Sequence, residues 1–256
     1  MEWIDKAIVV STRRHGESGA IVEALTKSHG RHMGLVRGGA GKKARSIYQP
    51  GNTLTLQWRA RLSEHLGNFG AELIRARTGE LIDDGDALTG LNALTSIIGA
   101  ALPEREAHPG VFDATEILLD AMQSGDFEHW APLYVRWEVG LLEALGFGLD
   151  LSQCAQSGTR DDLRFVSPRS GRAVSAEAGA AYASRLFALP QFLLGSQSSR
   201  ISRTDILSGL RLTSHFLRVR VLEPHHRRLP SSRIRLDEIA AADSHRTRGR
   251  SAGARR

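Results

Sequence analysis

The chain of 256 residues has a single cysteine, Cys154, and this scarcity excludes several kinds of site. One thiol cannot form a disulfide within the chain, and it cannot build a structural zinc site from several thiolates. No uninterrupted apolar run approaches the roughly 20 residues that span a bilayer. Residues 1–6 lack the basic segment and apolar core of a signal peptide. We therefore expect a cytoplasmic protein without a membrane partner.

Sequence motifs for catalysis are missing as well. The glycine-rich run 36–43 fails as a nucleotide phosphate loop because Val36 replaces the first glycine and Lys43 replaces the hydroxyl residue that binds magnesium. There is no Gly-x-Ser-x-Gly sequence, and the ten histidines include no His-Glu-x-x-His sequence. We expect no catalytic residues, no cofactor and no bound metal, and hence no enzyme.

The charge of the chain is strongly segregated along the sequence. A net charge of +6 hides +7 over residues 1–78, −12 over residues 79–150 and +11 over residues 151–256. Segregated positive charge indicates a polyanionic partner, and nucleic acid is the leading candidate, with an ordinary solvated basic surface as the alternative. The fourteen acidic residues of the middle segment show no catalytic or metal-binding spacing, so we expect them on a solvated helical face.

Short β-rich runs predict a small barrel at the start of the chain. Leu54, Leu56 and Trp58 alternate with polar residues, which favours Trp58 as a core residue. A helical turn is expected at residues 44–48. The order is that of a five-stranded OB-type β-barrel over residues 1–79, a fold that binds oligonucleotides, although an SH3-like barrel fits almost as well. The predicted strands cover residues 7–12, 20–26, 31–36, 53–59 and 68–74.

From residue 80 the apolar period becomes helical. The predicted fold class is α+β, mainly α by residue count, with a helical bundle following the barrel. This helical domain covers residues 80–243 and contains an irregular loop at about 150–174, rich in Gly, Ser, Asp and Pro. Residues 244–256 hold five arginines and no acidic residue, which predicts a disordered basic tail. Helices are predicted over residues 88–101, 112–122, 130–145, 176–186 and 204–222.

Cationic residues of the predicted barrel are the candidates for contact with phosphate. Many lie in the run 30–46, whose glycines at 38, 39 and 41 keep the loop adaptable. Contacts of this kind release counterions, so binding should weaken steeply with salt and be nearly blind to sequence. Tyr48 and Phe69 stay undecided between the core and base stacking. The candidate DNA-binding residues are Arg13, Arg14, Arg31, His32, Arg37, Lys42, Lys43, Arg45 and Arg59.

A second candidate site lies on the last predicted helix. Arg211, His215 and Arg218 follow one another at spacings of four and three residues, which places them on one helical face. Such a row can border a groove for an acidic peptide or DNA, or it can be an ordinary solvated basic face. These three residues are the candidate partner-binding residues.

Taken in order, six stretches of the chain resemble the RecO family of bacterial DNA recombination and repair proteins. The resemblance covers nearly the whole chain. It implies a non-catalytic mediator that binds single- and double-stranded DNA, anneals complementary strands, engages the acidic tail of the single-strand-binding protein and works with RecR to load RecA. The stretches are IVVSTRRHGE (8–17), GRHMGLVRG (30–38), WEVGLLEALGF (137–147), LDLSQC (149–154), FVSPRSG (165–171) and LPSSR (229–233).

One departure from the family pattern concerns zinc. Some members carry a four-cysteine zinc site in the loop after the bundle, whereas this chain has only Cys154, followed by Gln156 and Ser157 where a second thiolate would be sought. We expect no zinc and a loop held by the packing of Phe165 and Val166. Two alternatives to the mediator remain: an RNA-binding or translation-associated barrel protein, and a scaffold whose acidic middle docks a basic partner.

Overall fold

The computed structural model describes residues 1–195 and 200–242 of the chain. They belong to two compact units, Met1–Ser124 and Gly125–Arg256, which are described separately below. Within the described ranges, no helix combines the length and the apolar character needed to cross a membrane. The predicted basic tail at 244–256 lies outside the described residues.

The first unit begins with a closed five-stranded barrel in the order β1-β2-β3-β5-β4. Neighbouring strands are antiparallel except β3 and β5, which pair in parallel at Leu35 and Asn68. This confirms the predicted OB-type barrel. Its elements are β1 (Glu2–His15), β2 (Gly19–Thr26), β3 (Gly30–Val36), α1 (Lys42–Ile47), β4 (Thr53–Arg59) and β5 (Asn68–Arg75).

Strand β1 is longer than predicted because it pairs with two neighbours in turn. Its first half pairs with β4, from Glu2 opposite Arg59, and its second half pairs with β2, ending at His15 opposite Gly19. A register shift between Val9 and Ser11 bends the strand between the two partners, as bulges do in barrels. The charged residues of its first half interrupt the apolar run, so the sequence pattern alone does not reveal them as strand.

Apolar side chains on the inner face of the strands fill the barrel. Trp58 is only 2% exposed, which confirms its predicted place in the core, and Tyr48 and Phe69 are buried there as well. The buried cluster consists of Ala7, Val9, Val22, Ala24, Val36, Tyr48, Leu54, Leu56, Trp58 and Phe69.

Three helices complete the first unit: α2 (Arg77–Glu80), α3 (Gly85–Ala101) and α4 (Pro109–Ser124). Three carboxylates of α4 pair with cations of the barrel strands, of the β2–β3 turn and of α2. Asp113 and Asp120 stay exposed, as expected of a solvated acidic face, whereas the Glu116 side chain is largely covered. The pairs and their N–O distances are Lys27–Asp113 (2.8 Å), Lys6–Glu116 (2.6 Å), Arg75–Asp120 (2.7 Å) and Arg77–Asp120 (2.7 Å).

The second unit is helical with a small sheet. The strand β6 and the first two residues of β7 fall inside the segment predicted as an irregular loop. Sequence runs of three or four residues are too short to show a strand period, so the sequence predicts neither strand. The predicted last helix is confirmed as α7, which continues as a π-helical turn over Leu217–Leu222. The elements are α5 (Phe127–Ala144), β6 (Leu163–Val166), β7 (Ala173–Ser175), α6 (Ala176–Gly179), β8 (Phe187–Ala188), α7 (Arg203–Phe216) and α8 (Ser231–Ala242).

A fully buried ion pair joins α5, α7 and α8. Arg233 of α8 donates from Nε and Nη2 to the two carboxylate oxygens of Glu138 in α5, at 2.5 and 2.9 Å. Its Nη2 also donates to the carbonyl of Leu210, and Thr213 Oγ1 donates to Glu138. Burial alone would lower the pKa of Arg233, but the adjacent carboxylate outweighs burial and raises it. The sequence does not predict α8, since this buried arginine interrupts its apolar pattern.

Replacing Arg233 by methionine should destabilise the protein strongly, because the Glu138 carboxylate would stay buried without its partner. We expect the free energy of unfolding to fall by about 3 to 5 kcal/mol. The double variant Arg233→Met/Glu138→Met should recover most of this loss, since no buried charge then remains. Urea denaturation followed by circular dichroism measures both values.

The matched control for this experiment is Arg218→Met. It breaks the pair of Arg218 with Glu223, in which the side chains are 49% and 50% exposed, and should cost less than about 1 kcal/mol. An Arg233→Met variant that is as stable as this control would contradict the role given to the buried pair.

Candidate nucleic-acid interface

Six of the nine candidate DNA-binding residues lie at one end of the barrel, which we call the cationic end. All six side chains are exposed. Among the residues that the structure describes, none of the six forms an ion pair with an acidic side chain. Their charges are therefore available to an anionic partner. The cationic end comprises Arg13, Arg14, Arg37, Lys42, Lys43 and Arg45.

Strand pairing brings the arginines of the cationic end together. Arg14 lies opposite Ala20 of β2, and Ala20 lies opposite Val36 at the end of β3. Arg37 follows directly, so its backbone is two strand spacings, roughly 10 Å, from that of Arg14. Residues that are 23 positions apart in the sequence thus become neighbours.

The loop and helix α1 are fastened beside these strands. Ala40 N donates to Ser18 O at 2.9 Å, and Thr12 Oγ1 donates to Tyr48 O at 2.6 Å just after the helix. The buried amide of Asn52 donates to the carbonyls of Ser46 and Ile47, at 3.1 and 3.0 Å, which satisfies the last turn of α1. The three cations of α1 are therefore presented next to Arg13 and Arg14.

Close packing explains the glycines at the start of this loop. Gly38 has φ +69°, a left-handed conformation that glycine adopts without strain. A Cβ on Gly39 would come within 2.6 Å of the Cβ of Ala20. The loop can approach β2 only without a side chain at this position.

The other three candidates lie at the opposite end of the barrel. Arg59 pairs with Glu2 at 2.8 Å across the β1–β4 ladder, and its side chain remains largely exposed. Arg31 is buried, forms an ion pair with Glu23 and donates from Nε to the carbonyl of Leu102 at 2.9 Å. The structure therefore removes Arg31 from the candidate phosphate contacts.

His32 is also removed as a cationic contact. Its side chain is buried, with the whole residue 5% exposed. Burial, with a smaller effect from the nearby charge of Arg105, lowers the pKa of His32 to about 4. The ring is neutral at pH 7 and carries no charge for a phosphate.

The candidate partner-binding row on α7 is only partly free. Arg211 is exposed, and Arg218 is exposed and paired with Glu223 at 2.6 Å. The ring of His215 lies 4.9 Å from that of Phe187, and its Nε2 is 3.1 Å from the carbonyl oxygen of Pro168. His215 therefore has a structural role in packing α7 against its neighbours.

The region of Cys154 does not fit a zinc site. Its sulfur is buried and accepts a hydrogen bond from the backbone nitrogen of Ser175 at 3.3 Å. In residues 1–195 and 200–242, no three His, Cys, Asp or Glu side chains come together in a way that could hold a metal. The segment is packed through Val166, which is fully buried, and Phe165, which is half-buried.

Comparison with known families identifies the chain. Residues 1–77 match the family model described as Recombination protein O N terminal, and residues 82–229 match the one described as Recombination protein O C terminal. The chain belongs to the RecO family. The expected domain boundary at residue 79 falls between the two matches, whereas the compact units divide after Ser124. The helices α3 and α4 therefore belong to the same compact unit as the barrel, although they fall within the C-terminal family match.

Individual RecO proteins are similar over nearly their whole length. The DNA repair protein RecO of Rhodospirillum rubrum is 49% identical over 93% of this chain and 96% of its own. Those of Cereibacter sphaeroides and Paracoccus denitrificans are also 49% identical, over 94% and 96% of this chain and 99% and 98% of their own.

Two aromatic residues at the end of the barrel opposite the cationic end are not recognisable from the sequence. Trp3 lies opposite Trp58 in the β1–β4 ladder, and His29 stacks on Trp3 with 4.3 Å between ring centres. Only the strand register places these rings together. Because Trp3 lies outside any apolar run of the sequence, the sequence does not indicate that it belongs to an aromatic cluster.

Replacing His32 by phenylalanine should change how stability depends on pH. Because the folded pKa of His32 is about 4 and the ordinary value is 6.5, the unfolded chain takes up the proton first as the pH falls. Wild type should therefore lose about 2 kcal/mol from this group between pH 7.5 and pH 5. The variant has no such group, and urea denaturation at both pH values should show their stability difference shifting by this amount. A difference independent of pH would contradict the assignment.

Proposed function

We propose that this RecO-family protein is a non-catalytic recombination mediator of the cytoplasm that binds single- and double-stranded DNA through the cationic end and anneals complementary strands. The observation that carries this proposal is the set of six exposed cations at one end of the barrel, which have no acidic partner in the part of the chain that the structure describes. Cations that face α4 are paired with its carboxylates. A DNA backbone is therefore attracted most strongly to the cationic end.

The side chains at the cationic end suit annealing. Arginine and lysine neutralise phosphates and so weaken the repulsion between two strands, without reading the bases. The aromatic residue beside α1, Tyr48, is buried in the core and cannot stack on bases here. Bases of a strand bound at this end stay free to pair with a complementary strand.

We also propose that Arg211 and Arg218 bind the acidic C-terminal tail of the single-strand-binding protein. Both are exposed cations of α7 and its π-helical extension, and carboxylates form strong charge-assisted hydrogen bonds with arginine. His215 acts as a positioning residue, since its contacts with Phe187 and Pro168 fix this face of the helix. Cooperation with RecR in loading RecA rests on membership of the family alone.

Charge reversal at α1 should suppress annealing. In the variant Lys42→Glu/Lys43→Glu/Arg45→Glu we expect little acceleration of annealing of complementary oligonucleotides, measured by fluorescence at two salt concentrations. In the same variant, the slope of log affinity against log salt should become shallower by about 2 to 3, because three phosphate contacts are lost.

The matched control is Arg160→Glu/Arg169→Glu/Arg235→Glu, which changes the net charge equally at exposed positions outside the barrel. We expect it to anneal nearly as wild type does. Equal suppression by both triple variants would assign the effect to net charge and contradict a site at the cationic end.

Reversal of the α7 arginines should weaken peptide binding. We expect the variant Arg211→Glu/Arg218→Glu to bind an acidic C-terminal peptide of the single-strand-binding protein at least about tenfold less tightly, since two charge-assisted contacts become repulsive. Titration calorimetry measures the affinity, with Arg160→Glu/Arg235→Glu as the control of equal charge. An unchanged affinity would disprove this assignment.

A further inference from the structure

A pocket rich in aromatic side chains opens at the end of the barrel opposite the cationic end. Its volume of about 590 Å³ lies within the usual range for small-molecule sites. We call it the aromatic pocket. The aromatic lining residues are Trp3, His29, His32 and Trp58, and the charged groups at the wall belong to Met1, Glu2, Glu64 and Arg105.

Three rings in the aromatic pocket form a nearly parallel stack. Trp3 lies in the middle, with His29 on one side at 4.3 Å and 8° and Trp58 on the other at 5.6 Å and 18°. Trp58 is in the core, so His29 forms the outer end of the stack, with its side chain 35% exposed. The distance of 2.9 Å from His29 Nδ1 to Asp5 Oδ2 fixes the ring in this orientation. The outer face of His29 is available to a further planar ring.

His32 adds unused hydrogen-bonding groups to the pocket. Its ring stands edge-on to both Trp3 and Trp58, each 5.1 Å away between centres. Both ring nitrogens are buried, and neither has a hydrogen-bond partner among the described residues; the carbonyl of His29 is near the ring but lacks the required geometry. Buried polar atoms are normally paired, so these two nitrogens form a polar spot in the inner part of the pocket.

The wall of the pocket is already formed without a ligand. Arg105 Nη2 donates to the carbonyls of Glu64 and His65, both at 3.1 Å, and Trp58 Nε1 donates to Leu66 O at 3.0 Å. Arg105 also has φ +62°, an unfavourable conformation for a residue other than glycine. Such strain is common at functional sites. The loop between β4 and β5 is therefore held in place to shape the pocket.

The charged groups at the wall of the pocket balance one another. The carboxylates of Glu2 and Glu64 lie there with the guanidinium of Arg105 and the terminal amine of Met1, and Glu2 pairs with Arg59 just outside. Arg59 and Arg61 are both exposed on the adjoining strand end and loop. This arrangement suits a neutral planar ring inside and a phosphate outside, which together describe a nucleotide.

We propose that the aromatic pocket binds one unpaired nucleobase of a DNA single strand, stacked on the outer face of His29. This proposal rests on the proposed function in DNA binding. A base inside a duplex is already stacked on its neighbours and cannot stack on His29 as well, so the pocket distinguishes single strands from duplex. It would release its base when the strand pairs with its complement.

Photo-crosslinking tests the proposal directly. Single-stranded oligonucleotides carrying 5-iodouracil are bound to the full-length protein and irradiated, and the adducts are located by mass spectrometry. We expect adducts on Trp3 or His29. Free 5-iodo-deoxyuridine monophosphate at the same concentration should give none, because a single nucleotide lacks the backbone contacts of a strand. Equal labelling by the free nucleotide would overturn the assignment to a DNA strand.

Substitutions at His29 give a second measurement. His29→Ala should weaken binding of the oligonucleotide about tenfold, as expected for one stacked base, whereas His29→Phe should stay within about twofold of wild type. Tyr182→Ala is the control, since Tyr182 is an exposed aromatic residue of the second unit. Equal affinity of His29→Ala and wild type would overturn the proposal.

The result also separates this proposal from the proposed function. If wild type binds no single-stranded DNA, the proposed function fails. If it binds DNA but all adducts fall on residues 37–48, only the aromatic pocket is disproved as a base site. Adducts confined to residues 37–48 are also the result expected if the pocket binds an aromatic side chain of a protein partner instead of a base.

Discussion

Charge pairing between α4 and its neighbours in the first unit decides where this unit is electropositive. The first 78 residues carry a net charge of +7, and the carboxylates of Asp113, Glu116 and Asp120 neutralise part of it from outside the barrel. Most of these pairs are partly exposed and contribute little to stability. Their effect is on the electrostatic field, because the six cations of the cationic end have no such carboxylate partner among the described residues. The carboxylates of α4 thus act as counterions for the cations that they contact.

The second unit shows the opposite use of an ion pair. Arg233 and Glu138 are completely buried, and their hydrogen bonds connect three helices that are far apart in the sequence. A buried pair of this kind is costly to separate, and it requires one arrangement of the helices around it. The same chain therefore uses exposed pairs to shape its field and a buried pair to specify its packing.

The sequence predicts the barrel well because its strands alternate regularly, as Leu54, Leu56 and Trp58 do in β4. It also predicts the cationic end, since glycines and lysines between two strands have few roles in a core. Prediction from the sequence fails where contacts between residues distant in the sequence decide whether a side chain is buried. Arg31 looks like Arg37 in the sequence, yet its side chain is buried against Glu23. The small sheet and α8 escape prediction for a similar reason, because short strands and a buried arginine leave no apolar period.

The long strand β1 sets the distance between the aromatic pocket and the cationic end. Trp3 and Arg14 belong to the same strand β1, so the aromatic pocket and the cationic end are separated by a single covalent element. Eleven residue spacings of extended chain span at most about 36 Å. A stacked strand covers that distance with about ten nucleotides, and a more extended single strand needs fewer. An oligonucleotide of about ten nucleotides is therefore long enough to occupy both ends.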